Sequence, residues 1–215
     1  MVKKGTDKRR YDRVAGVYDI FELPMELMAF SKWRSELFRY VESGKILEVG
    51  IGTGKNILYY SNWDVAGLDI SHKMLKKAVK RAFDLNKKID FVQGDAEYLP
   101  FRDESFDGVI STYVFCSVEN PENGLKELYR VLKTGGRAYF LEHVRSENEI
   151  VGKLMDAVNP AIRVIGPEIN RKTVENIKNA GFIIVRDVKL MLSVFRLVIA
   201  EKAFNQAVSD IQGHH

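Results

Sequence analysis

The sequence predicts an α/β fold whose mostly parallel sheet ends in an antiparallel hairpin, and three observations predict it. From Lys45 onward short apolar runs alternate with helical segments, the pattern of repeated βα units. The first run enters a glycine-rich turn, Gly50-Ile51-Gly52-Thr53-Gly54, that opens a helix. The last two runs, Phe182 to Val188 and Phe195 to Ala200, lie close enough along the chain to pair with each other.

In chain order, the basic stretch Lys3 to Arg10 is expected to fray. Behind it Tyr11, Val14, Ala15 and Tyr18 recur at helical spacing and predict a first amphipathic helix. Pro24 opens a second, running to about Val41, with Leu27, Phe30, Arg34, Leu37, Phe38 and Val41 on or near one face. Strands are expected at Ile46 to Val49, Val65 to Asp69, Ile89 to Val92, Gly108 to Ser111 and Arg137 to His143, with helices beginning near Lys55, Ser71 and Pro121. In the helix from Ser71 to Leu85, Met74, Ala78, Ala82 and Leu85 form a buried stripe, while Lys73, Lys76, Lys77, Lys80 and Arg81 make a solvated face. Gly135-Gly136 reads as a helix stop feeding the fifth strand. Glu149 to Pro167 is a mixed stretch with apolar Ile150, Val151, Leu154, Met155 and Val158, which Pro160 and the Gly166-Pro167 pair keep from being one uninterrupted helix. A short helix from Arg171 to Asn179 ends at Gly181. The chain therefore divides into an N-terminal helical cap (1–42), one α/β domain (43–205) with a cover over one end (144–170), and a tail (206–215) whose last residues resemble a tag remnant.

Composition narrows the function classes. At 215 residues and 46% hydrophobic the chain can bury one good core. Lys+Arg 33 against Asp+Glu 29 leaves +4, a small excess over mixed signs that argues against a dedicated nucleic-acid binder. Cys116 is the single cysteine, so no internal disulfide can form and a reducing compartment is expected. Together with a charged N-terminus lacking the apolar core of a signal peptide, this predicts the cytoplasm. The most apolar stretch, Leu190 to Ala200, is interrupted by Ser193 and Arg196 and is too short to span a bilayer. The basic N-terminus and the apolar cover leave room for peripheral membrane contact, although neither is a membrane motif by itself.

The chemistry is concentrated at the ends of the expected strands. Glycines at 50, 52 and 54 let the backbone approach a ligand closely. Their spacing departs from the dinucleotide fingerprint, which sets two residues between its second and third glycines. Glu48, two residues before the first glycine, would repel a pyrophosphate and attract a ligand carrying an ammonium and a sulfonium. Asp69 ends the second strand, where an acid accepts hydrogen bonds from ribose hydroxyls, and Asp95 follows the third, where it can accept from an adenine amine. The bland alternative for each acid is a helix or turn cap.

The segments ILEVGIGTG, VAGLDIS, VQGDAEYLPF, FDGVIS and LKTGGRAYFLEHV resemble the successive motifs of class I S-adenosylmethionine-dependent methyltransferases, over nearly the whole chain. The resemblance implies a Rossmann-like, mostly parallel seven-stranded sheet with helices on both faces. It implies that Glu48 and the turn Gly50, Gly52, Gly54 hold the methionine part of the cofactor, Asp69 the ribose, and Asp95 with Ala96 the adenine. Asn56, Ile70, Met74, Gly94, Ser111 and Thr112 complete the cofactor-contact candidates, and no metal is expected. Within the superfamily, YDRVAGVYD and the stretch from Glu142 through NPAIRVIGPEINRKTVENIKNAGF resemble the branch that methylates quinones, phospholipids and related hydrophobic acceptors.

The reaction so implied passes a methyl group to a small, hydrophobic acceptor, leaves S-adenosylhomocysteine, and asks the protein mainly to align the reactants and exclude water. His143 is the candidate base where the acceptor must lose a proton, against an equal alternative in which it only lines the pocket. Tyr113 stands with Thr112 where the acceptor should meet the methyl group. Tyr18, seven residues from Tyr11, is the candidate lid contact over the cofactor, against simple core packing. Cys116 reads as a small buried hydrophobe and His72 as a surface residue. Two other readings stay open: a cofactor-binding partner subunit without catalysis, and a nicotinamide-dependent oxidoreductase, which the glycine spacing and Glu48 both disfavour.

Overall fold

The computed structural model describes residues 29–165 and 168–204. The first expected helix, Tyr18, the Gly166-Pro167 pair and the tail fall outside these residues, as does the start of the second helix, residues 24–28. Its described part is α1, Ser31–Phe38. Seven strands follow the expected order: β1 Lys45–Val49, β2 Asp64–Asp69, β3 Asp90–Gln93, β4 Phe106–Thr112, β5 Leu132–His143, β6 Ile183–Leu190 and β7 Phe195–Glu201. The helices between them are α2 His72–Asp84, α3 Pro121–Val131, α4 Glu149–Ile165 and α5 Thr173–Asn179. All seven strands join one sheet in the order β3-β2-β1-β4-β5-β7-β6. β1 to β5 run parallel, and β7 lies antiparallel to both β5 and β6. None of the described helices is long and apolar enough to cross a membrane.

Successive side chains of a strand point to opposite faces, so a sheet covered on both sides reads as continuous apolar runs. Leu47, Val49, Val109 and Phe140 face one core layer with Leu125 and Leu128 of α3 and Ile177 of α5. Ile46, Ile110, Tyr139 and Leu141 face the other with Leu37 and Phe38 of α1 and Leu75, Ala78 and Ala82 of α2. That alternation decides which residues can meet at the carboxyl ends of the strands.

Four local expectations are corrected. The segment from Lys55 is a single 3-10 stretch, Lys55–Tyr59, because Asn56 and Ile57 are drawn into the interior and Tyr60 turns extended. Leu85, assigned to the buried stripe of α2, is 40% exposed at the helix end, and Leu75 takes the buried place. The Gly135-Gly136 pair is not a helix stop: α3 ends at Val131. The glycines lie inside β5, where Gly135 donates its N–H to Lys202 O at 2.7 Å and Gly136 O accepts from Lys202 N at 3.0 Å. Finally, α4 runs unbroken through Pro160. The proline is exposed, on a side of the helix where water can satisfy the carbonyl left without its donor.

Candidate active site

The order of the strands reverses between β1 and β4, and in such sheets ligands bind beyond the carboxyl ends at the point of reversal. Val49 and Ser111 are in register there, so the glycine turn after β1 and the loop after β4 lie side by side. The contact is close: a Cβ on Gly50 would meet Val114 Cγ2 at 2.4 Å. Gly52 differs. Its φ is +56°, and a Cβ there would find no heavy atom nearer than its own loop's Gly50 O at 3.9 Å. Such a left-handed position, with open space beside it among the described residues, is a cradle for a ligand that approaches backbone. Gly54, also left-handed at φ +79°, packs on Ile57 and Ala78 and starts the 3-10 segment.

Asp69 braces this turn. Its Oδ2 accepts from Gly52 N at 2.9 Å and its Oδ1 from Ser71 N at 2.8 Å. Ser71 in turn caps α2, its hydroxyl accepting from Met74 N at 3.2 Å. Asp95 is half-buried and accepts from Glu97 N at 2.9 Å. The capping roles weighed for these acids are therefore present. A carboxylate has about four lone-pair sites, so capping does not preclude holding a ribose or an amine. Ile70 is half-buried and its carbonyl accepts from Gln93 Nε2 at 3.1 Å. Met74 is buried, Ala96 is 9% exposed, and the space beside Gly94 is filled by Leu68 and Pro100.

Sheet alternation splits the remaining candidates into two polar networks. On the α1 side lie Glu48, Asn56, Thr112 and Arg34, all buried. Glu48 does not stand open in the cleft: Asn56 Nδ2 donates to its Oε1 at 2.7 Å, and the Tyr60 hydroxyl donates to Oε2. Burial pushes the carboxyl of Glu48 up to about 7, against these hydrogen bonds and the nearby Arg34 charge. Asn56 Nδ2 also lies 2.9 Å from Thr112 Oγ1. Arg34 reaches in from α1 to donate to Asn56 Oδ1 at 2.7 Å and Thr112 Oγ1 at 3.2 Å, with its guanidinium 5.0 Å from the Tyr113 ring centre. On the opposite face Ser111 donates to Glu142, so Ser111 and Thr112, both candidate cofactor contacts, project to different sides.

Past Thr112 the wall becomes aromatic. Tyr113 stacks on Phe30 at 4.6 Å between ring centres, and Phe195 meets Phe30, Trp33, Tyr113 and His143 at 5.4, 5.1, 5.9 and 4.9 Å. His143 is pushed down to about 4 by burial, partly opposed by a backbone hydrogen bond at Ile169, and its Nδ1 finds no hydrogen-bond partner among the described residues. It is thus a neutral imidazole with a buried lone pair at the edge of a ring cluster. Cys116 is buried and burial pushes its thiol up to about 12, the state of an inert hydrophobe. His72 is exposed. Arg34, Tyr60 and Glu142 were not among the expected site residues. The acid in Phe140-Leu141-Glu142-His143, inside an otherwise apolar run, was the available signal for the last of them.

Residues 47–140 match the methyltransferase domain family. A demethylmenaquinone methyltransferase of Thermotoga maritima is 36% identical over 141 residues, 62% of this chain and 60% of that protein. Over the matched segment the chain is similar to methyltransferases, in the family model and in this relative alike. A ubiquinone/menaquinone biosynthesis C-methyltransferase of Azotobacter vinelandii is 32% identical over 157 residues, covering 68% of this chain and 62% of that one. The chain thus matches about three fifths of the length of these relatives. Among solved structures, a methyltransferase of Thermotoga maritima described as a possible histamine N-methyltransferase superposes with TM-score 0.69 at 22% identity, over 91% of this chain and 99% of that one. At that identity the likeness shows the shared fold. The family's cofactor is S-adenosylmethionine, and the left-handed Gly52 cradle beside Asp69 fits a nucleoside held against backbone.

Proposed function

We propose that this chain is an S-adenosylmethionine-dependent methyltransferase that transfers a methyl group to a small, hydrophobic acceptor of the quinone type. The observation that carries the reading is the aromatic wall of Tyr113, Phe195, Phe30 and Trp33 next to Thr112 and the glycine turn. Flat rings pack on such walls face to edge or offset, and a planar acceptor gains both burial and ring contact there. The names of the quinone-modifying relatives support the same acceptor class.

When bound, S-adenosylmethionine supplies the activated methyl group. The glycine turn and Asp69 hold and orient the nucleoside, Asp95 with Ala96 frames its base, and the Glu48–Asn56–Thr112–Arg34 network fixes the floor beneath it. The aromatic wall orients the acceptor and excludes water. His143, uncharged at neutral pH, holds the acceptor's hydroxyl proton at Nδ1. The lone thiol, buried at Cys116, suits a cytoplasmic enzyme.

Methyl transfer into reduced benzoquinone and naphthoquinone acceptors, compared with a catechol and a polar amine, tests the reading. Preference for the quinols is expected, with His143→Phe raising KM for hydroxylated acceptors. A preference for the polar amine would overturn it.

A further inference from the structure

Glu142 is buried at the carboxyl end of β5, on the opposite face of the sheet from Thr112 and His143. Of the candidate cofactor and acceptor residues among the described ones, Ser111 is the one that hydrogen-bonds to it. The partners of Glu142 bracket the segment that carries the acceptor site. Ser111 Oγ donates to Oε1 at 2.7 Å, Val114 N donates to the same oxygen at 3.3 Å, and Phe115 N donates to Oε2 at 3.1 Å. These donors lie on both sides of Thr112 and Tyr113, so one carboxylate ties the two ends of the loop to β5.

The loop needs such a tie. Tyr113 sits at φ +60°, a left-handed conformation that is unfavourable for a residue with a Cβ. Further groups grip the same stretch: Leu141 O accepts from Tyr113 N at 2.8 Å, Arg171 Nη1 donates to Phe115 O at 2.8 Å, and Cys116 O accepts from Glu168 N at 2.7 Å. We propose that Glu142 is the positioning residue of the acceptor site, holding the loop of residues 111–116 so that Thr112 and Tyr113 stand where acceptor and methyl group meet. Its effect on catalysis rests on the methyl-transfer reading above; its effect on the loop does not.

The tie depends on ionisation. An ionised carboxylate accepts from all three donors, whereas a protonated one turns an acceptor position into a donor that faces N–H groups. Burial pushes Glu142 up to about 7. The titratable and charged groups around it are Arg171, ahead of α5, and Cys116, in the loop. Across the strand pair, Arg196 of β7 is in register with Glu142, but its guanidinium binds Asp187 and Glu147. His143, the next residue of β5, faces the other layer and is uncharged near neutrality. The hydrogen bonds from Ser111, Val114 and Phe115 each pull the Glu142 carboxyl down against the burial that raises it. While Glu142 stays buried in the folded chain, ionisation therefore favours the tied loop, which tightens as pH rises through about 7 even though the same burial costs global stability.

Amide hydrogen exchange on the full chain, corrected for intrinsic rates and followed on either side of neutrality, reads the tie directly. In the wild type, Val114 and Phe115 should be protected roughly tenfold better on the alkaline side, the scale of one hydrogen bond. In Glu142→Gln that protection should be low and independent of pH. The variant should keep wild-type affinity for S-adenosylhomocysteine, raise the acceptor KM, and lose the rising limb of the kcat/KM profile near neutrality. PH-independent protection in the wild type would overturn the proposal, and that measurement stands even where Glu142→Gln fails to fold. A wild-type rising limb retained in Glu142→Gln would overturn it equally. If the exchange pattern appears but the wild type methylates no quinol, the tie stands and the acceptor reading falls.

Discussion

Two glycines of the turn after β1 separate folding from ligand binding. At Gly52 an added Cβ meets nothing nearer than 3.9 Å among the described residues, so Gly52→Ala carries chiefly the cost of a left-handed residue. That cost is about 1–2 kcal/mol, a fall in Tm of roughly 2–8 °C for a domain of this size. On the proposed reading the same methyl group occupies the space of the nucleoside, and losing one close backbone contact there should lower affinity by about tenfold or more. At Gly50 the balance reverses, because the added Cβ lies 2.4 Å from Val114 Cγ2 and forces the loop after β4 to move. Overpacking of that kind adds about 1–3 kcal/mol to the backbone strain. Thermal denaturation of both variants, paired with calorimetric titration of S-adenosylhomocysteine, gives the comparison. Gly52→Ala should be the more stable of the two and yet bind weakly. Wild-type affinity in Gly52→Ala would refute the placement of the cofactor against this turn.

Three further outcomes follow from the same geometry. Asp69→Ala removes the acceptor for Gly52 N and Ser71 N and should weaken S-adenosylmethionine binding by about 1–3 kcal/mol, measured by calorimetry; unchanged binding removes the ribose role. Glu48 and Glu142 are both raised to about 7 from an ordinary value of 4.5, so between those limits the folded chain holds more protons than the unfolded one. Stability should therefore fall as pH rises across that window, by up to about 3 kcal/mol per group; urea midpoints that fall no less steeply in Glu142→Gln than in the wild type would contradict the assignment. Cys116, with its thiol raised to about 12, should resist iodoacetamide in the native protein at mildly alkaline pH and react once the chain is unfolded; rapid native alkylation would show an accessible thiolate.

The strands were legible because a sheet buried on both faces needs unbroken apolar runs, and Ile46 to Val49 or Gly108 to Ser111 can serve nothing else at their length. The glycine turn and its acids were legible for a related reason, since backbone torsion and charge leave direct marks on residue type. Arg34 and Tyr60 were not, because their roles come from partners far along the chain: Arg34 meets Asn56 and Thr112, and Tyr60 meets Glu48 across the turn. Ser111 and Thr112 look equivalent in sequence, but the period of two sends one to Glu142 and the other to Arg34. The continuity of α4 was hidden by Pro160, whose effect depends on exposure, a property of packing that neighbouring residues do not reveal.

The central claim is that this cleft selects a positively charged nucleoside over a pyrophosphate. Parallel calorimetric titrations of the wild-type chain with S-adenosylmethionine and with a nicotinamide dinucleotide measure that choice. A saturable single-site isotherm for the former and no binding heat for the latter is the expected result. Saturable binding of the dinucleotide alone would contradict the claim.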